Sequence, residues 1–159
     1  MSVVRCPWSV VGHGLVIGYF MARPAFQNLR VYRLSEEIAD RMWDIVIDWT
    51  PFDRQTVGSQ LVRAADSIGA NISEGVGRGS FKDNRRFVRV ARGSLNETIH
   101  FLRRAYRRGL VNDKQAKTIK PLIEELGPKL NAYLKSIGSV SVIKRGERAT
   151  DNGPRTTDN

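Results

Sequence analysis

Between about residues 28 and 137 apolar side chains recur at steps of three and four, and strand-like alternation is nearly absent. The pattern predicts four helices. The first covers about 28–49, with Leu34, Ile38, Met42, Ile45 and Trp49 on one stripe. Thr50-Pro51 ends it, because the residue before a proline avoids the helical region. The second covers about 54–75, with Val57, Leu61, Ala64, Ala65, Ile68 and Ile72 inward. Gly69 and Ala70 are small enough for close helix approach, and Gly75 and Gly77 suit a helix stop.

The third helix covers about 80–108. Ser80 fits an N-cap, with Asp83 in the first turn, and Gly109 fits the stop. Phe87, Val90, Ala91, Ser94, Leu95, Thr98, Phe101, Leu102 and Ala105 are expected to face inward, the phenylalanines and valines anchoring the helix to the core. The fourth covers about 112–137. Asn112 and Gln115 have capping-box spacing, and Ala116, Ile119, Ile123, Leu126, Leu130, Tyr133 and Ile137 form a heptad-like seam. Pro121 and Pro128 cut across it, so a kink is expected at one, or a start near Pro121. Short connections make neighbours antiparallel. The fold class expected is all-α, an antiparallel up-down-up-down four-helix bundle over 26–137. Residues 1–25 are read as a disordered or over-called extension with translation starting at Met21, because the apolar run 8–21 is short for a membrane span and broken by Gly12 and Gly14 for a signal peptide. Residues 138–159 are polar and read as a disordered tail.

Charge changes the picture. The chain of 159 residues carries a net +10. From Arg78 to Arg108 there are ten basic residues against Asp83 and Glu97, a net of +8, whereas the rest holds sixteen basic and fourteen acidic. The excess belongs to one segment. Along it Arg85, Arg89, Arg92, Asn96, His100, Arg103 and Arg107 are spaced 4, 3, 4, 4, 3 and 4, one line on a helix of 3.6 residues per turn. That line runs roughly 33 Å at 1.5 Å per residue. Arg86 and Arg104 broaden it, and Arg78 and Lys82 extend it. A merely solvated face mixes signs and gains i,i+4 pairs, but this one has almost no carboxylates. Phosphates would supply the missing negative charge, so the partner expected is RNA or DNA, bound mostly without regard to sequence, since no base-reading pattern stands out. An acidic protein partner is the alternative, making the chain a structural or adaptor bundle.

Other chemistry is sparse. Cys6 is the only cysteine, which rules out an intrachain disulfide and suits a reducing cytoplasm. Glu97 and His100 form one Glu-x-x-His pair where a bundle di-metal site needs two. With no nucleophile–base pair and no glycine-rich phosphate loop, neither an enzyme nor a cofactor is expected, and no membrane partner. Among the polar residues near apolar neighbours, Asn71 and Glu97 are expected to fix the register of the second and third helices, with Gly93 permitting close approach and Glu74 and Ser94 nearby.

The blocks Ser67 to Gly75 (S-I-x-x-N-I-x-E-G), Gly77 to Ser80 (G-R-x-S), Phe87, and Ala91 to Glu97 (A-x-G-S-L-x-E) occur in order. Together with the opening FQNLRVYRLSEEIAD (26–40), they resemble the small proteins encoded in intervening sequences of bacterial 23S rRNA genes, and the related accessory variability proteins of diversity-generating retroelements. The resemblance spans about 26–137. It implies a four-helix bundle, a homo-oligomer of five subunits, nucleic-acid binding through basic surface residues, and for some relatives assistance to a reverse transcriptase. At 85–86, where such proteins commonly place an acidic residue before the aromatic, this chain has Arg85-Arg86.

Overall fold

The computed structural model describes residues 25–138, all of whose regular elements are helical. The expectations for residues 1–24 and 139–159 lie outside the described residues. A 3₁₀ turn, Ala25–Asn28, leads into α1, Arg30–Val46. A short helical turn, Pro51–Asp53, and a π-helical stretch, Arg54–Gly58, run directly into α2, Ser59–Gly77. Then come α3, Phe81–Arg107, and α4, Asp113–Ser136.

Thr50 and Pro51 do more than end the first helix. The Thr50 hydroxyl accepts from the Asp53 amide, and Pro51 takes the first helical position, where its missing N–H costs nothing. The second helical run therefore begins earlier than the apolar stripe suggests. Asn112 and Gln115 form the expected capping box, with both reciprocal bonds at 2.9 Å. α4 does not begin at Pro121. It runs through both prolines, which lie on its exposed side, so the carbonyls left without a helical partner are open to water.

α1 packs against α2 and α4, and α3 packs against the same two, so the helices close a ring around one core. Leu34, Ile38 and Met42 meet Leu61, Ile68 and Ile72 there, with Val88, Ala91 and Leu95 from α3 and Ile119, Leu126 and Leu130 from α4. Glycine sets two of the spacings. A Cβ on Gly69 would stand 3.0 Å from the Ser35 Oγ of α1, and one on Gly75 would stand 3.0 Å from the Phe87 Cβ of α3 and 3.3 Å from the Asn84 Cα. Close approach at Gly69 matches expectation. Gly93 does not act this way: nothing lies within 4 Å of its missing side chain, and it is exposed.

Polar bonds tie α4 to its neighbours. Arg30 of α1 donates from Nε and Nη2 to Glu125 at 2.9–3.2 Å. From α3, the Asn84 amide donates to the Tyr133 hydroxyl at 3.2 Å and Arg92 Nη1 donates to Asn131 Oδ1 at 3.1 Å. The Asn84 Oδ1 is buried without a partner.

Candidate nucleic-acid interface

α3 is started and stopped as its sequence dictates. Gly79 turns the chain at φ +66°, Ser80 accepts from the Asp83 amide, and Gly109 at φ +74° ends the last turn. Left-handed backbone of this kind suits glycine, which has no Cβ to clash. Between these limits Val88, Ala91, Ser94, Leu95, Thr98 and Ala105 are buried. The buried and exposed sides follow one helical period, so the cationic positions are held in line by the packing of the opposite face.

Arg85, Arg89, Arg92, Asn96, His100, Arg103 and Arg107 are all exposed on α3, as are Arg86, Arg104 and Lys82. The ion pairs among the described residues are Arg30–Glu125, Arg41–Glu37, Arg78–Glu74, Lys120–Glu124 and Lys129–Glu125. None involves an arginine of α3. Arg92 is steadied by Asn131, which leaves its charge uncompensated. Arg85, Arg89, Arg103, Arg104 and Arg107 have no hydrogen-bond or ion-pair partner among the described residues. Arg78 differs: it bonds to Glu74 one turn back, and its guanidinium lies 5.4 Å from the Phe87 ring centre. Arg86 lies at the same distance from that ring, so Phe87 carries two cations on its π surface. Arg78 is thus part of the α2–α3 turn more than of the open row.

The structure departs from the sequence reading at two points. Val90 and Phe81 do not anchor the helix: they are 46% and 60% exposed, and Val88 with the half-buried Phe87 takes that role. Asn71 and Glu97 do not set register between helices. The Asn71 amide donates to the Ser67 carbonyl of its own helix at 2.7 Å, and Glu97 is exposed without a partner among the described residues. Of the other polar residues, Glu74 pairs with Arg78, and Ser94, buried, donates to the Val90 carbonyl of its own helix at 3.3 Å. Side chains one turn from a carbonyl satisfy themselves locally before reaching across a groove.

Two adjoining grooves flank the C-terminal half of the row and were not foreseen. One, of about 290 Å³, is lined by Asn96, Ile99, His100 and Arg104. The other, of about 570 Å³, lies between α3 and α4 with Ile99, Leu102, Tyr106 and Ile123 in its lining. Arg103 and Arg107 border both. Tyr106, half exposed, donates its hydroxyl to Asp113 Oδ1 at 2.6 Å, and that bond together with the Asp113 charge raises the phenol pKa above its ordinary value. The signal in the sequence was an aromatic residue between Arg103 and Arg107 on the edge of the apolar stripe.

The opposite side of the ring is different in character. α1 exposes Glu36, Glu37, Asp40 and Asp44, the turn after it exposes Asp48, and Asp66 of α2 has its pKa raised by burial and then by Asp40. Trp43, Ile47 and Phe52 are also exposed there, two of them beside a groove of about 290 Å³ between α1 and the start of α2. Among the described residues no three His, Cys, Asp or Glu side chains gather where a metal could be held, and no helix is long and apolar enough to cross a membrane.

Comparison with known proteins agrees with the fold. A crystal structure of a protein of unknown function from the S23 ribosomal protein family of Bacteroides thetaiotaomicron VPI-5482 is similar at 25% identity with a TM-score of 0.59, over 67% of this chain and 99% of that one. No curated protein matches the chain. Residues 27–132, which take in α1, α2, α3 and most of α4, match the family described as 23S rRNA-intervening sequence protein, and the chain belongs to that family.

Proposed function

We propose that the protein is a non-enzymatic nucleic-acid-binding bundle that grips phosphate backbones through α3. The observation that carries this reading is the row of exposed guanidinium groups with no carboxylate partner among the described residues. Such a row is self-repelling in the free protein, and phosphates remove the repulsion while releasing counterions. Arg85, Arg89 and Arg92 form its N-terminal half, with Arg86 and Lys82 at its margin; Arg103, Arg104 and Arg107 form the C-terminal half.

The helices alternate in direction in this reading, because the connections at residues 47–50, 78–80 and 108–112 are too short for a crossover. The protein works as a homo-oligomer, five subunits by the resemblance stated above, and the exposed Trp43, Ile47 and Phe52 supply apolar surface for self-contact. Repeating the row around an assembly multiplies affinity for one long polyanion. Help to a reverse transcriptase is the setting that the resemblance suggests for such binding, and the single cysteine suits the cytoplasm.

Replacing Arg85, Arg89 and Arg92 together by Glu is expected to abolish gel retention of RNA and DNA while the helical circular-dichroism spectrum is kept. Retention by the folded triple variant would refute the assignment. Pull-down with and without nuclease separates nucleic acid from an acidic protein: a partner lost only after nuclease treatment favours nucleic acid, and one that survives favours direct protein docking.

A further inference from the structure

The two halves of the cationic row are not alike. Beside Arg103 and Arg107 the surface places Arg104, His100 and Asn96 on one side and a larger apolar groove on the other. A nucleotide has a matching division, a charged phosphate next to a flat base whose π faces stack on apolar and aromatic surface. The apolar groove, about 570 Å³, lies within the range of about 300–1,000 Å³ usual for small-molecule clefts. Tyr106 is half exposed in its lining, and the bond to Asp113 fixes the ring's edge. Lys120 on the α4 side adds a third cation to the rim.

We propose that the groove between α3 and α4 receives an unpaired base against Tyr106 while Arg103 and Arg107 hold the adjoining phosphates, so that the protein prefers single-stranded over duplex nucleic acid. This rests on the phosphate-binding reading above and adds a ligand form to it. In a duplex the phosphates remain available to the row, but the bases are stacked and paired and cannot enter. Stacking on an aromatic side chain accepts any base, which keeps the binding largely independent of sequence. The charge complementarity is one-sided: the guanidinium groups of Arg103 and Arg107 border the groove without an ion-pair partner among the described residues, and the single carboxylate in its lining, Glu124, is paired with Lys120 at 3.7 Å.

The test is fluorescence anisotropy with a labelled 20-nucleotide RNA, alone and annealed to its complement, at matched salt. The full chain is expected to bind the single strand more tightly. Tyr106→Ala should weaken single-strand binding roughly tenfold, the scale of one lost stacking contact, and leave duplex binding unchanged. Tyr106→Phe, which keeps the ring and loses the bond to Asp113, should retain most of the preference and shows that the loss in Tyr106→Ala is not misfolding. Equal effects of Tyr106→Ala on both ligands, or none on either, would overturn the base site while leaving the phosphate row standing. Absence of any nucleic-acid binding by the unaltered chain would remove both. Light scattering on the same variants gives the remaining outcome: if Tyr106→Ala changes the mass of the nucleic-acid-free protein, a second copy occupies the groove and the base site is refuted.

Discussion

Gly75 and Gly93 both lie inside helices, yet the same substitution should move stability in opposite directions. In a helix interior alanine is favoured over glycine by about 1 kcal/mol, because the glycine chain has more freedom to lose on folding. At Gly93 nothing lies within 4 Å of the added methyl, so Gly93→Ala should deliver that gain in full. At Gly75 the methyl would stand 3.0 Å from Phe87 Cβ, 3.3 Å from Asn84 Cα and 2.9 Å from Asn84 Oδ1. The first two atoms belong to or adjoin the α3 backbone and cannot rotate away, so α2 and α3 must separate by a few tenths of an ångström. Overpacking of this kind costs about 1–3 kcal/mol, and displacement of a whole helix contact belongs to the upper part of that range. Set against the helical gain, Gly75→Ala should lose about 1–2 kcal/mol, which puts the two variants about 2–3 kcal/mol apart. Urea titration followed by circular dichroism measures both midpoints, and thermal melts should separate the variants by roughly 10 °C at about 4 °C per kcal/mol. A Gly75→Ala protein as stable as Gly93→Ala would refute the claim that the α2–α3 spacing is set by the missing side chain.

Asn112→Ala should cost about 1 kcal/mol in the same titration, because both bonds of the α4 capping box depend on that side chain or its position. Asp66 has its carboxyl pKa raised by burial and by Asp40, so the folded state favours the protonated form. The associated stability is present at pH below the ordinary value of 3.8 and is lost as pH rises through the folded value. Asp66→Asn should therefore raise the melting temperature at pH 7, and the gain should shrink on acidification toward 3.8. Arg85→Gln, Arg89→Gln and Arg92→Gln combined should lower the slope of log K against log salt for duplex DNA by about 2.7, three phosphate contacts at about 0.9 each, as read by anisotropy from 50 to 200 mM salt. Arg78→Gln should change that slope far less, since Glu74 already neutralises its guanidinium.

The helices were legible because one signal, apolar spacing, reports both the element and the face it buries. Leu34, Ile38 and Met42, or Ile119, Leu126 and Leu130, could be placed in the core from their steps alone, and all are buried. Caps were legible too where a side chain bonds within three residues, as at Ser80 and Asn112. The errors share a cause. Pairings between distant residues depend on helix rotation and separation, which spacing does not contain. Asn71 and Glu97 were joined on polarity, but a nearer carbonyl serves Asn71 and water is open to Glu97. Val90 sits one step outside the buried arc of α3, a difference in rotation too small to read from apolar character. Pro121 and Pro128 suggested a break because the rule against interior proline assumes that the freed carbonyls are shut away from solvent; on the outer side of α4 they are not. The cationic row was legible as a line, and the groove beside Tyr106 was not, because it is made by the angle between two helices.

The π-helical stretch at Arg54–Gly58 has a consequence for chain length. Its winding accommodates one residue more than the α ladder allows, with the Ser59 amide reaching back to the Arg54 carbonyl. Both ends are pinned, by the Thr50 hydroxyl on one side and by Gly58 wedged beneath Val46 on the other, where an added Cβ would come within 2.7 Å of the valine. The surplus is therefore confined to one turn, exposed at 54–56 and buried at Val57 and Gly58. Removing a single residue from 55–56 would rewind that turn to ordinary α geometry without shifting Leu61 or anything after it, so the entrance to the second helix can shed a residue while the heart of the bundle stays in place.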